Sequence, residues 1–374
     1  MNKTRIVIAS DSFKGSLSSL DICELFKEEL KNKGINATYI PLADGGEGSL
    51  EAISYIKEGR YINARVKNLY SEEATCKLYI DNCNNAYIET ASCVGMALIK
   101  EGHNGGHVTT YGLGEQIKIA VSLGIKNIYI FLGGSASNDG GCGLASALGV
   151  KFYNKDGEEF SPTGFTLKDI VYIDTAEANE LLNGINIYGL SDVRSPLLGI
   201  EGATYKYGPQ KGLSNEDIKI IEEGMKHYCS IIEKELGIKI NDIQSLGAAG
   251  GLGAALYAFA HASISSGIET ILDLVGFDTI ISQCDLVISG EGKLDKQTYE
   301  GKVIDGIAKR CIKYHIPLDL IVGISTINNI KDKYPCIKNV YETNASHQPF
   351  EKVKWQAKQM YTLALKELLK HIDN

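Results

Sequence analysis

The chain has 374 residues, 44% of them apolar and 22% charged, which is the balance of a soluble globular protein with room for two domains. Its net charge of −8 argues against a general nucleic-acid or anionic-membrane surface, so an anionic ligand needs a local positive site. The nine cysteines form no C-x-x-C pair, which predicts buried free thiols and a cytoplasmic protein. The N-terminus lacks the pattern of a secretory signal, and no apolar run is long enough for a membrane span.

The beginning of the chain alternates between strands and helices. An apolar run at 6–9 predicts a buried strand, and a helix at about 18–33 follows it. A second strand ends near residue 41 and precedes a helix at about 48–58. This alternation is typical of an α/β fold with a parallel sheet.

The pattern changes after residue 60. Short strands at 61–67, 75–80 and 86–90, separated by polar turns, predict an antiparallel meander. The later predicted elements are a helix at 113–123, a strand at 125–132, a helix beginning at 143–148, a strand at 186–191, helices at 215–236 and 253–263, a strand at 285–289, a helix at 298–314, strands at 318–323 and 338–343, and a helix at 351–371. The meander and the return of parallel-type strands near 285 predict a discontinuous domain, 1–75 plus 285–374, and an inserted domain, 76–284.

The first strand ends in a loop that is suited to an anion and a metal ion. Asp11, Ser12, Lys14 and Gly15 lie between this strand and the following helix. Ligands of open α/β sheets bind at the carboxyl ends of strands, where backbone N–H groups and helix N-termini favour anions. Asp11 is therefore a candidate metal ligand and Lys14 a candidate phosphate clamp. The structural alternative is an ordinary turn with an exposed lysine.

Three further strands lead into glycine-rich loops that carry carboxylates. These loops are Asp44-Gly-Gly-Glu47, Gly133-Gly-Ser-Ala-Ser-Asn-Asp139 and Glu291-Gly-Lys-Leu-Asp295. Four such junctions are hard to explain by packing alone. The sequence contains no G-x-x-x-x-G-K-[ST] P-loop, no protein-kinase glycine loop and no dinucleotide G-x-G-x-x-G.

The residue types in these loops suggest particular ligands. Asp44 and Glu47 supply the oxygen ligands that suit Mg²⁺, although a tight turn with solvated acids explains their pattern equally well. The loop 133–139 is the third of the four loops along the chain and is called the third loop below. Helix capping accounts for one of its polar side chains, but not for Ser135, Ser137, Asn138 and Asp139 together. Backbone N–H groups there can cradle phosphates, and close strand–helix packing is the alternative reason for the glycines. The candidate phosphate-binding residues of this loop are Gly133, Gly134, Ser135 and Asn138.

Six segments of the chain together resemble the type 1 glycerate kinase family, the bacterial glycerate 2-kinases. They are DSFKGSLSS (11–19), PLADGGEGS (41–49), LGGSASNDGGCG (132–143), GATYKYGPQKG (202–212), GAAGGLGAAL (247–256) and SGEGKLDKQT (289–298). The resemblance is collinear and covers nearly the whole chain. It implies ATP-dependent phosphorylation of glycerate with Mg²⁺. It also implies a flavodoxin-like α/β domain with a doubly wound parallel sheet, a second α/β domain with a mixed sheet, and an active site in the cleft between them.

The resemblance also suggests roles for individual residues. Lys14 and Asp192 become the candidate catalytic residues, with Asp192 as general base toward the glycerate hydroxyl. Lys211 and Gln210 become candidates for binding the substrate. The family pattern Asp-Val-x-Asn-Pro reads Asp192-Val-Arg-Ser195-Pro here, so a serine replaces the usual asparagine.

Two remaining groups of residues complete the expected site. Ser12, Gly15 and Glu291 join the third-loop residues as nucleotide ligands, and Asp11, Asp44, Glu47 and Asp295 form the expected metal set. The alternatives are a kinase of another small hydroxy acid and a two-domain protein that only binds an anion. The phosphorylated hydroxyl, the preferred enantiomer and the oligomeric state are left open by the sequence.

Overall fold

The computed structural model describes residues 4–31, 33–241 and 243–372. The strands are β1 (Arg5–Ser10), β2 (Asn36–Pro41), β3 (Gly59–Lys67), β4 (Glu73–Asp81), β5 (Asn85–Glu89), β6 (Asn127–Phe131), β7 (Lys151–Tyr153), β8 (Glu159–Phe160), β9 (Tyr172–Asp174), β10 (Asn186–Leu190), β11 (Ser263–Ser265), β12 (Leu286–Leu294), β13 (Leu318–Ser325) and β14 (Ile337–Glu342).

The α-helices are α1 (Ser19–Leu30), α2 (Ser49–Ile56), α3 (Thr90–Val94), α4 (Tyr111–Ser122), α5 (Cys142–Leu148), α6 (Ala176–Leu181), α7 (Ala203–Tyr207), α8 (Asn215–Leu236), α9 (Ala248–Phe259), α10 (Gly267–Leu274), α11 (Phe277–Ile281), α12 (Val303–Tyr314), α13 (Ile330–Lys333), α14 (Phe350–Val353) and α15 (Ala357–Ile372). Single 3₁₀ turns occupy Met96–Leu98, Leu167–Asp169, Pro209–Lys211, Lys296–Glu300 and Lys354–Gln356.

These elements form two compact units. Unit 1 comprises the described residues of Met1–Asp44, Glu51–Lys57 and Gly267–Asn374. Unit 2 comprises those of Gly45–Leu50 and Glu58–Ser266.

Unit 1 contains a five-stranded parallel sheet in the order β14-β13-β12-β1-β2. Numbered along this unit alone, the order is 2-1-3-4-5, so the predicted flavodoxin-like sheet is confirmed. Ile6 and Ile8 share a buried cluster with apolar residues of α1 and α15. Val7, which alternates with Ile6 and Ile8 along β1, is buried outside that cluster. The buried residues of α12 also lie outside it, and this helix contacts β12.

Unit 2 contains a six-stranded mixed sheet in the order β11-β10-β6-β5-β4-β3. The strands β3, β4 and β5 are antiparallel and form the predicted meander, whereas β5, β6, β10 and β11 are parallel. A smaller antiparallel sheet, β8-β7-β9, was not predicted from the sequence. Its strands of two or three residues are too short to give a periodic signal.

A row of tyrosines crosses the larger sheet of unit 2. Tyr61, Tyr79, Tyr87, Tyr129 and Tyr188 occupy directly paired positions on five successive strands. The rings of Tyr87 and Tyr129 stack at 5.2 Å, and those of Tyr129 and Tyr188 at 4.7 Å. Cross-strand aromatic pairs of this kind stabilise strand register.

The observed unit boundaries differ from those predicted at 75/76 and 284/285. The first predicted boundary falls within β4, which pairs with β3 along its whole length, so both strands belong to unit 2. The second predicted boundary, at 284/285, places α10 and α11 in the inserted domain, whereas the structure places them in unit 1. Arg310 on α12 forms ion pairs with Glu269 and Asp273 on α10 and with Asp278 on α11, which ties these helices to unit 1.

Two elements near the second boundary also differ from prediction. The strand predicted at 285–289 continues to Leu294, so Glu291 lies within β12 and not after it. The helix predicted at 298–314 is divided into the 3₁₀ turn Lys296–Glu300 and α12, because Gly301 between them has a φ of 108°. Among the described helices, none is both long enough and apolar enough to cross a bilayer.

Candidate active site

Three acidic residues meet at the carboxyl ends of neighbouring strands in unit 1. Asp11 follows β1, Asp44 follows β2, and Glu291 lies in the second half of β12. Since β1 lies between β2 and β12, parallel pairing brings the three acids to the same edge of the sheet. The β1/β12 pair is also the point where the strand order reverses, which is the usual ligand position in open α/β sheets.

A cavity of about 350 Å³ opens at this edge. Its size lies within the range of small-molecule sites. The charged residues that line it are Asp11, Lys14, Asp44, Glu291, Lys293, Lys302 and Lys354. The cavity therefore combines acids for a cation with lysines for an anion.

Among the acids of this cavity, Asp11 has the most strongly raised pKa. Its side chain is buried and accepts, within the described part of the chain, one hydrogen bond, from the Ser12 N–H at 2.7 Å. Burial, and next the carboxylate of Asp44, raise the pKa of Asp11 to about 8. Lys14 opposes that rise without cancelling it. A cation at this position would stabilise the ionised carboxylate and lower the pKa of Asp11 again.

Glu291 behaves similarly. Burial raises the pKa of Glu291 to about 7, and the carboxylates of Asp295 and Asp44 act in the same direction. The hydroxyl of Thr298 donates a hydrogen bond to Glu291 and, with Lys302, opposes the rise. Two buried acids in one cavity thus keep raised pKa values despite nearby lysines.

Lys14 is positioned by Asp44. The Nζ atom of Lys14 lies 3.1 Å from a carboxylate oxygen of Asp44, and 70% of the lysine side chain is exposed. The turn needs glycine at position 15, since φ there is +78°. A Cβ atom at Gly15 would also lie 3.1 Å from the ring of Phe350, so the loop packs closely on the C-terminal segment.

Two acids of the expected metal set lie outside this cavity's lining. Asp295 caps the following 3₁₀ turn by accepting from the Gln297 N–H, and it pairs with Lys293 at 3.2 Å. Glu47 belongs to unit 2, where it is exposed on its turn. Over the ranges that the structure describes, no group of three or more His, Cys, Asp or Glu side chains could hold a metal ion by itself. Asp11 and Asp44 can still supply the one or two carboxylates with which proteins commonly hold Mg²⁺ beside substrate phosphates.

In unit 2, two of the predicted loops come together. The Gly133 N–H donates a 2.8 Å hydrogen bond to the Gly45 carbonyl. A Cβ atom at Gly133 would lie 2.5 Å from the Cα atom of Gly46, so only glycine fits this contact. The close backbone approach accounts for these glycines by packing.

The polar residues of the third loop bond mostly to their own unit. Asp139 is fully buried and accepts hydrogen bonds from the N–H and hydroxyl groups of Thr110 and from the N–H groups of Gly141 and Gly143. Ser135 and Ser137 bond to each other at 3.0 Å. Asp139 therefore organises the loop from inside.

Asn138 is an exception in this loop. Its Nδ2 atom donates to the hydroxyl of Thr204 at 3.1 Å, and its backbone N–H donates to the Gly105 carbonyl. The buried Oδ1 atom has no hydrogen-bond partner among the described residues. A buried acceptor without a donor is costly, which marks Asn138 as a candidate ligand contact. The remaining predicted glycine, Gly134, has a φ of +76° and accepts a bond from the Met96 N–H.

Lys211 is buried against the same loop. Its Nζ atom donates to the Ser137 carbonyl at 2.6 Å, and burial lowers its pKa to about 7, with Asp139 opposing the shift. Gln210, beside it on the 3₁₀ turn, is exposed. The structure thus places the lysine of this predicted pair at the loop and leaves the glutamine at the surface.

Asp192 follows β10 at the carboxyl end of the unit 2 sheet, where it is half-buried. It accepts a 2.6 Å hydrogen bond from the hydroxyl of Ser266, which follows the neighbouring strand β11. Ser195, which replaces the family's usual asparagine, bonds to the hydroxyl of Tyr207 at 3.0 Å.

The sequence pattern missed one part of the unit 1 cavity. Residues 343–360, between β14 and the first turns of α15, supply Thr343, Asn344, Gln348, Phe350, Val353, Lys354, Ala357 and Met360 to its lining. Lys354 is the charged residue among these eight, and the segment lacks the glycine-rich, acid-bearing loop that marks the other strand ends. The available signal was the position of Thr343 and Asn344 directly after a parallel strand.

Comparison with known proteins agrees with this architecture. The model of the Glycerate kinase family matches residues 6–373. A Glycerate kinase of Bacillus cereus is 40% identical over 85% of both chains, and the Glycerate 2-kinase of Escherichia coli K12 is 38% identical over 86% of both. A crystal structure from Salmonella typhimurium LT2, described provisionally as glycerate kinase 2, superposes with a TM-score of 0.83 at 32% identity and covers 99% of both chains. The chain belongs to the glycerate kinase family.

Proposed function

We propose that this chain transfers the γ-phosphoryl group of ATP to D-glycerate and forms 2-phosphoglycerate. The observation that carries the proposal is the cavity of unit 1, in which buried acids and lysines meet at the strand-order reversal of a glycerate kinase family member. Phosphoryl transfer depends mainly on positioning and on neutralising phosphate charge. A cavity with carboxylates for a cation and lysines for phosphate oxygens supports both requirements.

Mg²⁺ is part of this proposal, and the donor set fits it. Asp11 and Asp44 would hold the ion through oxygen atoms, and the raised pKa of Asp11 reflects the charge that a cation would balance. When bound, Mg²⁺ supplies charge neutralisation to the nucleotide phosphates. Asp295 uses one carboxylate oxygen as a cap and pairs the other with the exposed Lys293. Asp295 and Glu47, which lies on an exposed turn, stay proposed metal ligands on the sequence pattern.

Lys14 is the proposed phosphate clamp of unit 1. Asp44 holds its ammonium group at 3.1 Å, yet most of the side chain is open to solvent and can follow a phosphate. Ser12 and the backbone of Gly15 lie on the same loop and can add donors. Glu291 orders this end of the nucleotide site through its bond with Thr298.

Unit 2 supplies the proposed acceptor groups. Asp192 orients or deprotonates the attacking hydroxyl, and Ser266 fixes the orientation of its carboxylate. Lys211 and Gln210 are the proposed contacts to the substrate carboxylate. Lys211 is buried with its Nζ atom on the Ser137 carbonyl and Gln210 is exposed, so a shared contact requires that their side chains reorient. Gly133, Gly134, Ser135 and Asn138 are the proposed anion contacts of the loop. The Oδ1 atom of Asn138, for which the described part of the chain offers no donor, can accept from a substrate hydroxyl.

A coupled assay of ADP release tests the function directly. D-glycerate, L-glycerate and other small hydroxy acids serve as acceptors, with and without EDTA, and NMR of the product locates the new phosphate ester. We expect Mg²⁺-dependent turnover of D-glycerate to 2-phosphoglycerate. Faster turnover of another hydroxy acid would replace the substrate, and glycerate binding without any turnover would favour the anion-binding alternative.

A further inference from the structure

We infer that residues 343–360 form the nucleoside subsite of the unit 1 cavity, with the ring of Phe350 as the surface on which the purine base stacks. This inference rests on the proposed kinase function and goes beyond it, because it assigns base recognition to a segment that none of the predicted motifs covers. It also assigns the direction in which the nucleotide lies along the sheet edge.

The cavity has an acidic end and a mainly apolar end. Acids follow or belong to β1, β2 and β12, at one side of the sheet. The apolar lining comes from Phe13 after β1, from Ile324 within β13, and from Phe350, Val353, Ala357 and Met360 after β14. The charged residue among those after β14 is Lys354, which is paired with Glu351 at 2.6 Å. A nucleotide has the same division between phosphates and base, so it fits with its phosphates over β1 and its base toward β14.

Phe350 has the position and exposure of a stacking surface. Its side chain is 48% exposed although it lines the cavity. The ring lies beside Gly15 of the phosphate loop, where any side chain larger than glycine would meet it. An exposed aromatic face next to a phosphate site is suited to a base, which offers a large π surface.

The loop before Phe350 is pre-formed. Asn344 is buried, accepts from the Gln348 N–H at 3.1 Å and donates to the Gln348 carbonyl at 2.9 Å. These two bonds close the turn 344–348 and fix the position of Gln348, whose side chain lines the cavity. A binding loop that is already ordered pays less entropy when the ligand arrives.

The side chain of Gln348 suggests which purine is preferred. Its Nε2 atom donates to the hydroxyl of Ser346 at 3.2 Å, which leaves the Oε1 atom as the acceptor for a ligand. The 6-amino group of adenine is a donor, whereas guanine presents a carbonyl oxygen at that position. Gln348 therefore favours adenine nucleotides over guanine nucleotides.

Glycerate is a poorer occupant of this cavity. The lysines of the lining can bind its carboxylate, but its three carbons would leave the apolar wall uncovered. A nucleotide brings its phosphates together with a cation and covers that wall with its base.

Calorimetric titration of MgADP and of magnesium pyrophosphate separates the base from the phosphates. Phe350→Ala should weaken ADP binding by about 10-fold or more and change pyrophosphate binding by less than about 2-fold, because only the stacking surface is lost. Gln348→Ala should lower the preference for ADP over GDP. Trp355→Ala is the matched control: this aromatic residue is 84% exposed, lies outside the cavity lining, and its loss should change neither titration.

Three results would contradict the inference. Unchanged ADP binding in Phe350→Ala with a normal melting curve would remove the stacking surface, and equal weakening of ADP and pyrophosphate would place the effect at the phosphate end. In both cases ADP binding and glycerate turnover by the wild-type protein would leave the proposed function standing. If the wild-type protein neither binds ADP nor turns over glycerate, the proposed function falls together with the subsite.

Discussion

Asp11 in unit 1 and Asp139 in unit 2 occupy similar sequence contexts but different electrostatic environments. Both follow an apolar strand and precede a helix, and both are buried. Asp139 accepts four hydrogen bonds from Thr110, Gly141 and Gly143, whereas Asp11 accepts one within the described residues and faces Asp44 and Glu291. Burial raises the pKa of both acids, but the hydrogen bonds of Thr110, Gly141 and Gly143 oppose that rise at Asp139. The carboxylate of Asp139 is therefore satisfied by the fold, and that of Asp11 is left for a ligand.

The difference has a consequence for stability. An unfolded aspartate has a pKa of about 3.9, and folding raises that of Asp11 to about 8. The folded state therefore binds this proton more tightly, so the contribution of Asp11 to stability falls as pH rises from about 4 to about 8. A site that is prepared for a cation destabilises the protein in the absence of that cation.

Asp139→Asn should produce the larger structural effect. The amide places an NH₂ donor against the N–H and hydroxyl donors that now face a carboxylate, so at least one charge-assisted bond is replaced by a donor–donor contact. We expect a loss of about 3 kcal/mol in the free energy of unfolding, measured by urea denaturation. Asp156→Asn, on an exposed turn of the same unit, is the control and should be nearly neutral. Equal stability of the Asp139 and Asp156 variants would show that the four bonds do not organise the loop.

Lys14→Ala should have a smaller effect, and on kcat instead of stability. Its ion pair with Asp44 is largely exposed, so its loss should cost at most about 1 kcal/mol in folding. Loss of a positive charge beside the transferred phosphoryl group should lower kcat by about 10²-fold. Lys366→Ala removes another exposed ion pair of unit 1, with Glu29, and serves as the control. If both variants keep wild-type kcat, Lys14 is a surface lysine without a catalytic role.

The sequence predicted the strands and the first helix of unit 1 well, because apolar strands and capped helices give strong local signals, whereas no element was predicted at α10 and α11. The capping box of Ser18 and Asp21, for example, begins α1 where it was expected. Local patterns could not show that Asp139 is enclosed by donors from Thr110, a residue 29 positions earlier. They also could not show the cavity lining of residues 343–360, since apolar side chains in a helix start look like ordinary core.

Unit boundaries were predicted less well, for two different reasons. The predicted boundary at residue 75 divides the local β3–β4 hairpin, although both strands were expected in one meander. The boundary near residue 284 depends on the ion pairs of Arg310 with Glu269, Asp273 and Asp278, which are distant in sequence and leave no local pattern.

Calorimetry of MgADP binding between pH 6 and pH 8, in buffers of different ionisation enthalpy, tests most directly whether the acids of unit 1 serve a metal–nucleotide complex. Because Asp11 must lose its proton to bind a cation, binding should release protons and strengthen as pH rises toward about 8. Asp11→Asn should weaken MgADP binding and remove the extra proton release, because the carboxylate that holds Mg²⁺ is lost, and comparison of the two proteins cancels the protons that ADP itself releases. The account is contradicted if wild-type and variant bind MgADP with the same affinity and the same proton count.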